Sequence, residues 1–154
     1  MYYIRVAHSC DAALIGPLLR EADKSEIAAN SGLHPEEALR QSLDTSSEVH
    51  LACHPDGTPL SIFGIGPNTS EPSIGIPWMV GTDEMSKYNI PLVRDARKWV
   101  DRHLNTYSIL TNYVDSRNTV HLKWLRHIGF NIDETPQFVG VDLSVPFYQF
   151  IRRK

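Results

Sequence analysis

The order in which strand-like and helix-like segments follow one another constrains the fold of this chain more than any other feature. Runs rich in β-branched and aromatic residues predict seven strands: YYIRVA, EVHLACH, PLSIFGIG, IGIPWMVGT, YSILTNYV, FNIDET and FVGVDLSVPFYQFI. Helical spacing of apolar residues predicts helices at about Ala12–Ala29, at HPEEALRQSL, at about Ile90–Leu104 and at Thr119–Ile128. This order predicts a mixed α/β or α+β domain with one central mixed sheet flanked by helices.

Composition and charge are those of an ordinary globular domain. The chain has 154 residues, 42% hydrophobic and 21% charged, so we expect a single domain over residues 1–154. The net charge of −3 gives no signature of nucleic-acid binding. No apolar run approaches the roughly 18 residues of a membrane helix, and Cys10 and Cys53 match no metal or redox spacing. We therefore expect a cytoplasmic protein with free thiols and no membrane partner.

Four residues predict local features near the middle and end of the chain. Pro17 either begins the first long helix or kinks an early turn. Pro77 removes one ladder donor from a predicted strand, so that point is an edge, a bulge or a splayed position. Asn118 caps the last helix, and Gly129 ends it because glycine adopts the left-handed conformation at little cost.

The element order, together with an Asn118 that is separated by ten residues from Gly129-Phe130, resembles the GNAT fold of acetyl-coenzyme A–dependent N-acyltransferases. The resemblance covers nearly the whole chain by element order, and its motif lies mainly in the last third. If acetyl-coenzyme A binds, the resemblance implies the following cofactor-binding residues: Met79, Val80, Gly81, Lys87, Asn118 and Trp124.

A narrower resemblance concerns three stretches, PLSIFGIG, PWMVGTDEM and LTNYVDSRNTVHLKWLRHIGF. They are similar to the small internal virion (internal core) proteins of short-tailed phages and related prophages, which are themselves GNAT-like. The resemblance implies a protein partner, such as a virion component, and a location in the host cytoplasm or the virion. It implies no reaction.

The expected pyrophosphate loop departs from the family pattern. GNAT enzymes have Gln or Arg, then x-x-Gly-x-Gly or Ala, so that backbone N–H groups approach the phosphates at a helix N-terminus. The equivalent stretch here, TDEMSKYNIPLVRDARKW, contains no glycine. Asp83 and Glu84 would repel a phosphate, while Lys87 offers one positive charge. We therefore predict a degenerate acetyl-coenzyme A site and no bound cofactor.

The proton donor of the family is also missing. Many members place a Tyr seven residues after the Asn to protonate the departing thiolate, and the residue here is Leu125. The neighbouring Trp124 has an indole N–H that is too weak an acid to replace a phenol. His121 titrates near neutral pH in its ordinary state and is a candidate catalytic residue, although we interpret it as part of a polar helix face.

A general base for an acceptor amine would be a carboxylate. Asp83 and Glu84, at the end of the predicted central strand, are candidate catalytic residues, and they would equally cap the next helix. Glu21, Asp23 and Glu26 lie near the acceptor side, and we interpret them as a solvated helix face.

No metal site is predicted. His50 and His54 are four residues apart on a predicted strand, where that spacing separates two side chains too widely to share an ion.

Three functions remain open from the sequence. The first is a phage-encoded GNAT-fold protein that acts through protein contacts without standard acetyl transfer. The second is an N-acyltransferase with an altered pyrophosphate loop. The third is a host-protein or small-ligand binding protein that keeps an open central cleft.

Overall fold

A seven-stranded mixed sheet runs through the computed structural model, which describes all 154 residues. Its spatial order is β1-β2-β3-β4-β5-β7-β6. The strands are β1 Tyr3–Val6, β2 Glu48–Cys53, β3 Pro59–Pro67, β4 Ile74–Gly81, β5 Ile109–Asp115, β6 Asn131–Gln137 and β7 Phe147–Arg153. Every neighbouring pair is antiparallel except β4 and β5, which are parallel. The prediction of a single α+β domain around one central mixed sheet is confirmed.

Five α-helices flank the sheet. They are α1 Asp11–Ile15, α2 Glu21–Ser31, α3 Pro35–Thr45, α4 Asn89–His103 and α5 Thr119–His127. Two short 3-10 segments cover Gly16–Leu18 and Asp83–Tyr88. None of these helices is long and apolar enough to cross a membrane.

The prediction of one helix from Ala12 to Ala29 is wrong. Pro17 lies in the 3-10 turn after α1, and Leu19 and Arg20 then adopt extended backbone conformations before α2 begins. Leu19 forms an isolated bridge with Thr82, and the Arg20 N–H donates to the Gly81 carbonyl at 2.9 Å. The end of β4 therefore pulls the chain out of the helical path, which is a contact that local periodicity does not contain.

The end of the chain also differs from its prediction. Residues 138–146 form a loop, although they were predicted as part of the last strand. The backbone N–H groups of Val141 and Asp142 donate to the carbonyls of Asn30 and Ala29, each at 3.1 Å. The loop therefore bonds to the last turn of α2 and cannot pair along β6.

The parallel pair β4 and β5 separates soon after it forms. Only Ile74 pairs with Ile109 and Gly75 with Leu110 before the two strands diverge. Pro77 has no N–H to continue the ladder, and its carbonyl instead accepts a hydrogen bond from Asn112 Nδ2 at 3.0 Å. Of the alternatives for Pro77, the splayed position is the correct one.

Two apolar clusters fill the interior on either side of the sheet. The larger contains residues of α4 and α5, such as Val100 and Leu125, packed on Leu110 of β5. The smaller joins Ile15 of α1 and Leu39 of α3 to the central strands. The only buried residues of α2 are Asp23 and Ala29, so this helix adds little apolar contact to either cluster.

Candidate functional site

The gap between β4 and β5 opens into a cavity of about 990 Å³. Trp78 and Met79 of β4 line it on one side, and Asn112 and Tyr113 of β5 line it on the other. Residues of α2, α3, α4 and α5 and of the other strands complete the walls. The volume is at the upper end of the range for small-molecule pockets, and the cavity lies at a break in the sheet, where such pockets commonly form.

Three residues of β4, namely Pro77, Met79 and Gly81, direct backbone polar groups into the gap. At two of these inward positions, Pro77 and Gly81, hydrogen bonds occupy those groups. The carbonyl of Pro77 accepts from Asn112, as described above. At the other end, the Gly81 N–H donates to Asp23 Oδ2 and the Gly81 carbonyl accepts from the Arg20 N–H, both at 2.9 Å. Backbone direction alternates along a strand, so the N–H and C=O of Met79, between these two, also face the gap. Met79 is therefore the one of the three residues whose backbone N–H and C=O form no such bond across the gap.

Asp23 joins three parts of the chain at the mouth of the gap. Its side chain is 1% exposed and accepts hydrogen bonds from Arg20 Nη2 at 2.8 Å, Gly81 N at 2.9 Å and Asn118 Nδ2 at 2.9 Å. The interpretation of this helix face as solvated is therefore wrong for Asp23. The sequence contains one signal of this polar face: Asp23, Glu26 and Asn30 recur at helical spacing and therefore lie on one side of α2.

Glu26 lies one turn further along α2 and lines the cavity. Its Oε1 accepts from the backbone N–H of Asp115 at 3.1 Å and from Asn118 Nδ2 at 3.2 Å. Burial, with the neighbouring Asp23 carboxylate, raises the pKa of the Glu26 carboxyl to about 8. Glu26 therefore holds a proton at neutral pH and titrates within the range that acid–base chemistry uses. Sequence reasoning did not select it as a site residue.

Asn118 has the predicted capping role and a second role that was not predicted. Its Oδ1 accepts from the His121 N–H at 3.4 Å, which caps α5. Its Nδ2 donates to both Asp23 and Glu26. The side chain is 2% exposed, so it links α5 to α2 inside the protein as well as capping its own helix.

His121 is buried in the cavity wall, and our interpretation of it as part of a polar surface is wrong. The residue is 7% exposed, and burial lowers the pKa of its imidazole to about 4. Its Nδ1 atom has no hydrogen-bond partner. Trp124 and Leu125, from the same helix, also line the cavity. His121 is therefore a neutral imidazole with one ring nitrogen left for a ligand.

The remaining candidates divide into two groups. Met79, Val80, His121 and Trp124 line the cavity, whereas Gly81 and Asn118 meet at its mouth through Asp23. The 3-10 segment that follows β4 carries Asp83, Glu84 and Lys87, and none of the three lines the cavity.

Lys87 Nζ lies 2.5 Å from Glu84 Oε2 in an ion pair, and His54 Nε2 lies 3.8 Å from the same oxygen. The single positive charge of this segment is therefore already paired. No group of three or more His, Cys, Asp and Glu side chains is placed to hold a metal ion.

The fold is that of GNAT acetyltransferases of known structure. A ribosomal-protein-alanine N-acetyltransferase from Brucella melitensis is similar with a TM-score of 0.73 and 14% identity, over 99% of each chain. A GCN5-related N-acetyltransferase from Kribbella flavida has a TM-score of 0.71 and 19% identity, over 99% of this chain and 98% of its own. An aminoglycoside acetyltransferase, solved with coenzyme A and kanamycin, has a TM-score of 0.68 and 12% identity, over 100% of this chain and 95% of its own.

No family model matches the sequence, and no curated protein matches it at a significant level. At these identities the solved structures define the fold and nothing finer. They cover nearly all of the chain.

Replacing Asn118 separates its two roles. Asn118→Ala removes the cap and takes one donor from each of two carboxyl groups, so we expect a loss of about 3 kcal/mol in the free energy of unfolding. Asn118→Ser keeps a capping oxygen and should recover about 1 kcal/mol of that loss. Chemical denaturation of the three proteins measures both values. Equal stability of the Ala and Ser variants would show that the cap contributes nothing.

Glu26 makes stability depend on pH. The groups that face it are Asp23 on its own helix, Asp115 at the end of β5, and Arg117 and Asn118 just after that strand. The unfolded chain releases this proton near the ordinary carboxyl pKa, whereas the native protein keeps it until about pH 8. The contribution of Glu26 to stability is therefore largest at low pH and falls as the pH rises from about 5 to 8, after which it levels off. The buried neutral His121 acts in the opposite sense below about pH 6.5.

Denaturation midpoints across this range test the effect. Glu26→Gln should remove the decline, and Glu21→Gln, an exposed change on the same helix, should leave it in place. A decline that persists in Glu26→Gln would assign it to another group.

Proposed function

We propose that this chain is a GNAT-fold protein that does not perform standard acetyl transfer and acts by binding, through protein contacts and its central cavity. The observation that carries the proposal is the hydrogen bond from the Gly81 N–H to the buried Asp23 carboxylate. It occupies the last inward donor of β4, at the point where this strand enters the loop that would hold a pyrophosphate.

The loop itself offers few backbone donors. In a 3-10 helix each interior N–H donates to the carbonyl three residues earlier, so the interior donors of Asp83–Tyr88 are used within the segment. No glycine lies between Thr82 and Pro91 to let a phosphate approach the backbone. Two acidic side chains add repulsion, and Lys87 is paired with Glu84. These residues do not fit the pyrophosphate of coenzyme A, which supports a protein that works without it.

An N-acyltransferase with an altered loop is the alternative. It is favoured by Glu26, whose carboxyl faces the cavity and titrates at about 8, because a general base needs a pKa near the working pH. The fold neighbours are acetyltransferases as well. Against this, the position seven residues after Asn118 is the buried Leu125, which has no proton to donate.

We also propose that the protein is encoded by a phage and associates with virion components, or with a host protein, in the host cytoplasm. The support is the resemblance of the stretches that form β3, the end of β4, β5 and α5 to small internal virion proteins. A surface for such contacts exists on the loop between β6 and β7, where Phe138, Val141 and Leu143 are 55%, 63% and 71% exposed. Exposed apolar residues that cluster in one loop are typical of protein contact sites.

Titration calorimetry with acetyl-coenzyme A tests the absence of standard transfer. Loss of two charge-assisted phosphate contacts weakens binding by about 3 kcal/mol, so we expect a dissociation constant no tighter than about 1 mM. Acetyl transfer to generic amines should not exceed background. Leu125→Tyr should not restore it, because that change adds a proton donor without a cofactor site. Micromolar binding or clear turnover would establish the acyltransferase alternative instead.

Mass spectrometry of purified phage particles tests the virion association. Peptides of this chain should be enriched in the particles relative to an equal mass of infected lysate. Abundance in the lysate with none in the particles would contradict packaging and favour the host-directed or enzymatic functions.

A further inference from the structure

The cavity between β4 and β5 is walled mostly by apolar side chains, and polar groups line it at several places, one of which is the end near Asn118. Of its 41 lining residues, 23 are hydrophobic, among them Trp124 and Leu125. Glu26 accepts from the Asn118 amide, and the His121 backbone donates to it. The side chains of Glu26 and His121 therefore meet the cavity at the same end, beside the buried Asn118.

These polar groups carry no net charge at neutral pH. Asp23, which lies behind them, is 1% exposed and forms an ion pair with Arg20 at 2.8 Å. Burial keeps the pKa of Glu26 at about 8 and that of His121 at about 4, so the first is protonated and the second is neutral. Arg117, the other nearby cation, is paired with Asp115 at 2.6 Å. This end of the cavity therefore presents neutral donors and acceptors to a ligand, while Asp95, Lys98 and Arg102 line the wall that α4 forms.

Two atoms at this end lack a partner within the protein. His121 Nδ1 has none and belongs to a side chain that is 7% exposed. Of the two Glu26 oxygens, Oε1 accepts both hydrogen bonds from the protein, which leaves Oε2 to carry the proton. A buried polar atom without a partner destabilises the protein. Both atoms are therefore available to a ligand that reaches this end.

We propose that the cavity binds an uncharged, elongated and mainly apolar molecule whose polar end is a neutral donor–acceptor group such as a primary amide, held by Glu26 and His121. The amide carbonyl accepts from Glu26 Oε2–H. The same amide pairs with His121 Nδ1 in either tautomer, because it offers both a donor and an acceptor. This inference rests on the proposed function in one respect, that the arm of acetyl-coenzyme A does not fill the cavity.

Charged molecules of the same length bind less well. An ammonium group would need Glu26 to be ionised. At about pH 7, one unit below the Glu26 pKa, only about a tenth of the protein carries the ionised carboxylate, so the affinity for the ammonium is about tenfold lower. A carboxylate would meet a proton-bearing Glu26 with the Asp23 carboxylate behind it, and the two cations at this end, Arg20 and Arg117, are already paired. The selectivity therefore depends on pH, and the ammonium gains affinity once Glu26 ionises.

Tryptophan fluorescence measures this selectivity, because Trp78 and Trp124 line the cavity. The probes are octanamide, octylamine and octanoate, titrated at about pH 7 and about pH 9. At about pH 7 octanamide should bind about tenfold more tightly than either charged probe. At about pH 9 octylamine should gain about tenfold, while octanamide should not gain.

Three variants assign the effect to residues. His121→Phe keeps a ring of similar shape and should weaken octanamide binding about fivefold. Glu26→Gln should abolish the gain of octylamine at high pH. Glu21→Gln, on the exposed face of the same helix, should change neither.

Two outcomes would overturn the inference: octylamine as the tightest probe at about pH 7, or no saturable response to octanamide. The acetyl-coenzyme A calorimetry is a separate readout. Micromolar cofactor binding would contradict the proposed function without reversing the order of the octyl probes.

Discussion

The carboxylate of Asp23 is the interaction on which the arrangement of the site depends. It accepts hydrogen bonds from the turn before α2, from the end of β4 and from the residue that caps α5. A buried carboxylate is stable only with a full set of donors, and loss of one leaves an uncompensated charge. The three elements are therefore held together at the mouth of the gap by one side chain.

The separation of β4 from β5 creates the gap at whose mouth the Asp23 side chain lies. Pro77 ends the ladder, and Asn112 holds the strands at a fixed distance by bonding across the gap. The space between them is not refilled by apolar packing, because α2 buries only Asp23 and Ala29. A helix that contributes polar side chains instead of a hydrophobic face leaves a cavity with an apolar wall and a polar end.

The same features explain why the fold does not determine the function here. The sheet and helices match acetyltransferases along the whole chain, and a carboxyl that titrates at about 8 lies in the cavity. Where β4 ends, the Gly81 N–H donates to Asp23, and in the segment that follows Lys87 is paired with Glu84. Folds persist while the residues at their sites change.

Local patterns in the sequence determined the element order, the cap at Asn118, the end of α5 at Gly129, where φ is +102°, and the interruption of the ladder at Pro77. Each depends on residues within a few positions of one another. Tertiary structure alone decided that Asp23 and His121 are buried and that the first long helix breaks at Arg20. Asp23 meets partners 58 and 95 residues away. Whether a polar residue faces water or another chain segment depends on such distant contacts, which no local periodicity records.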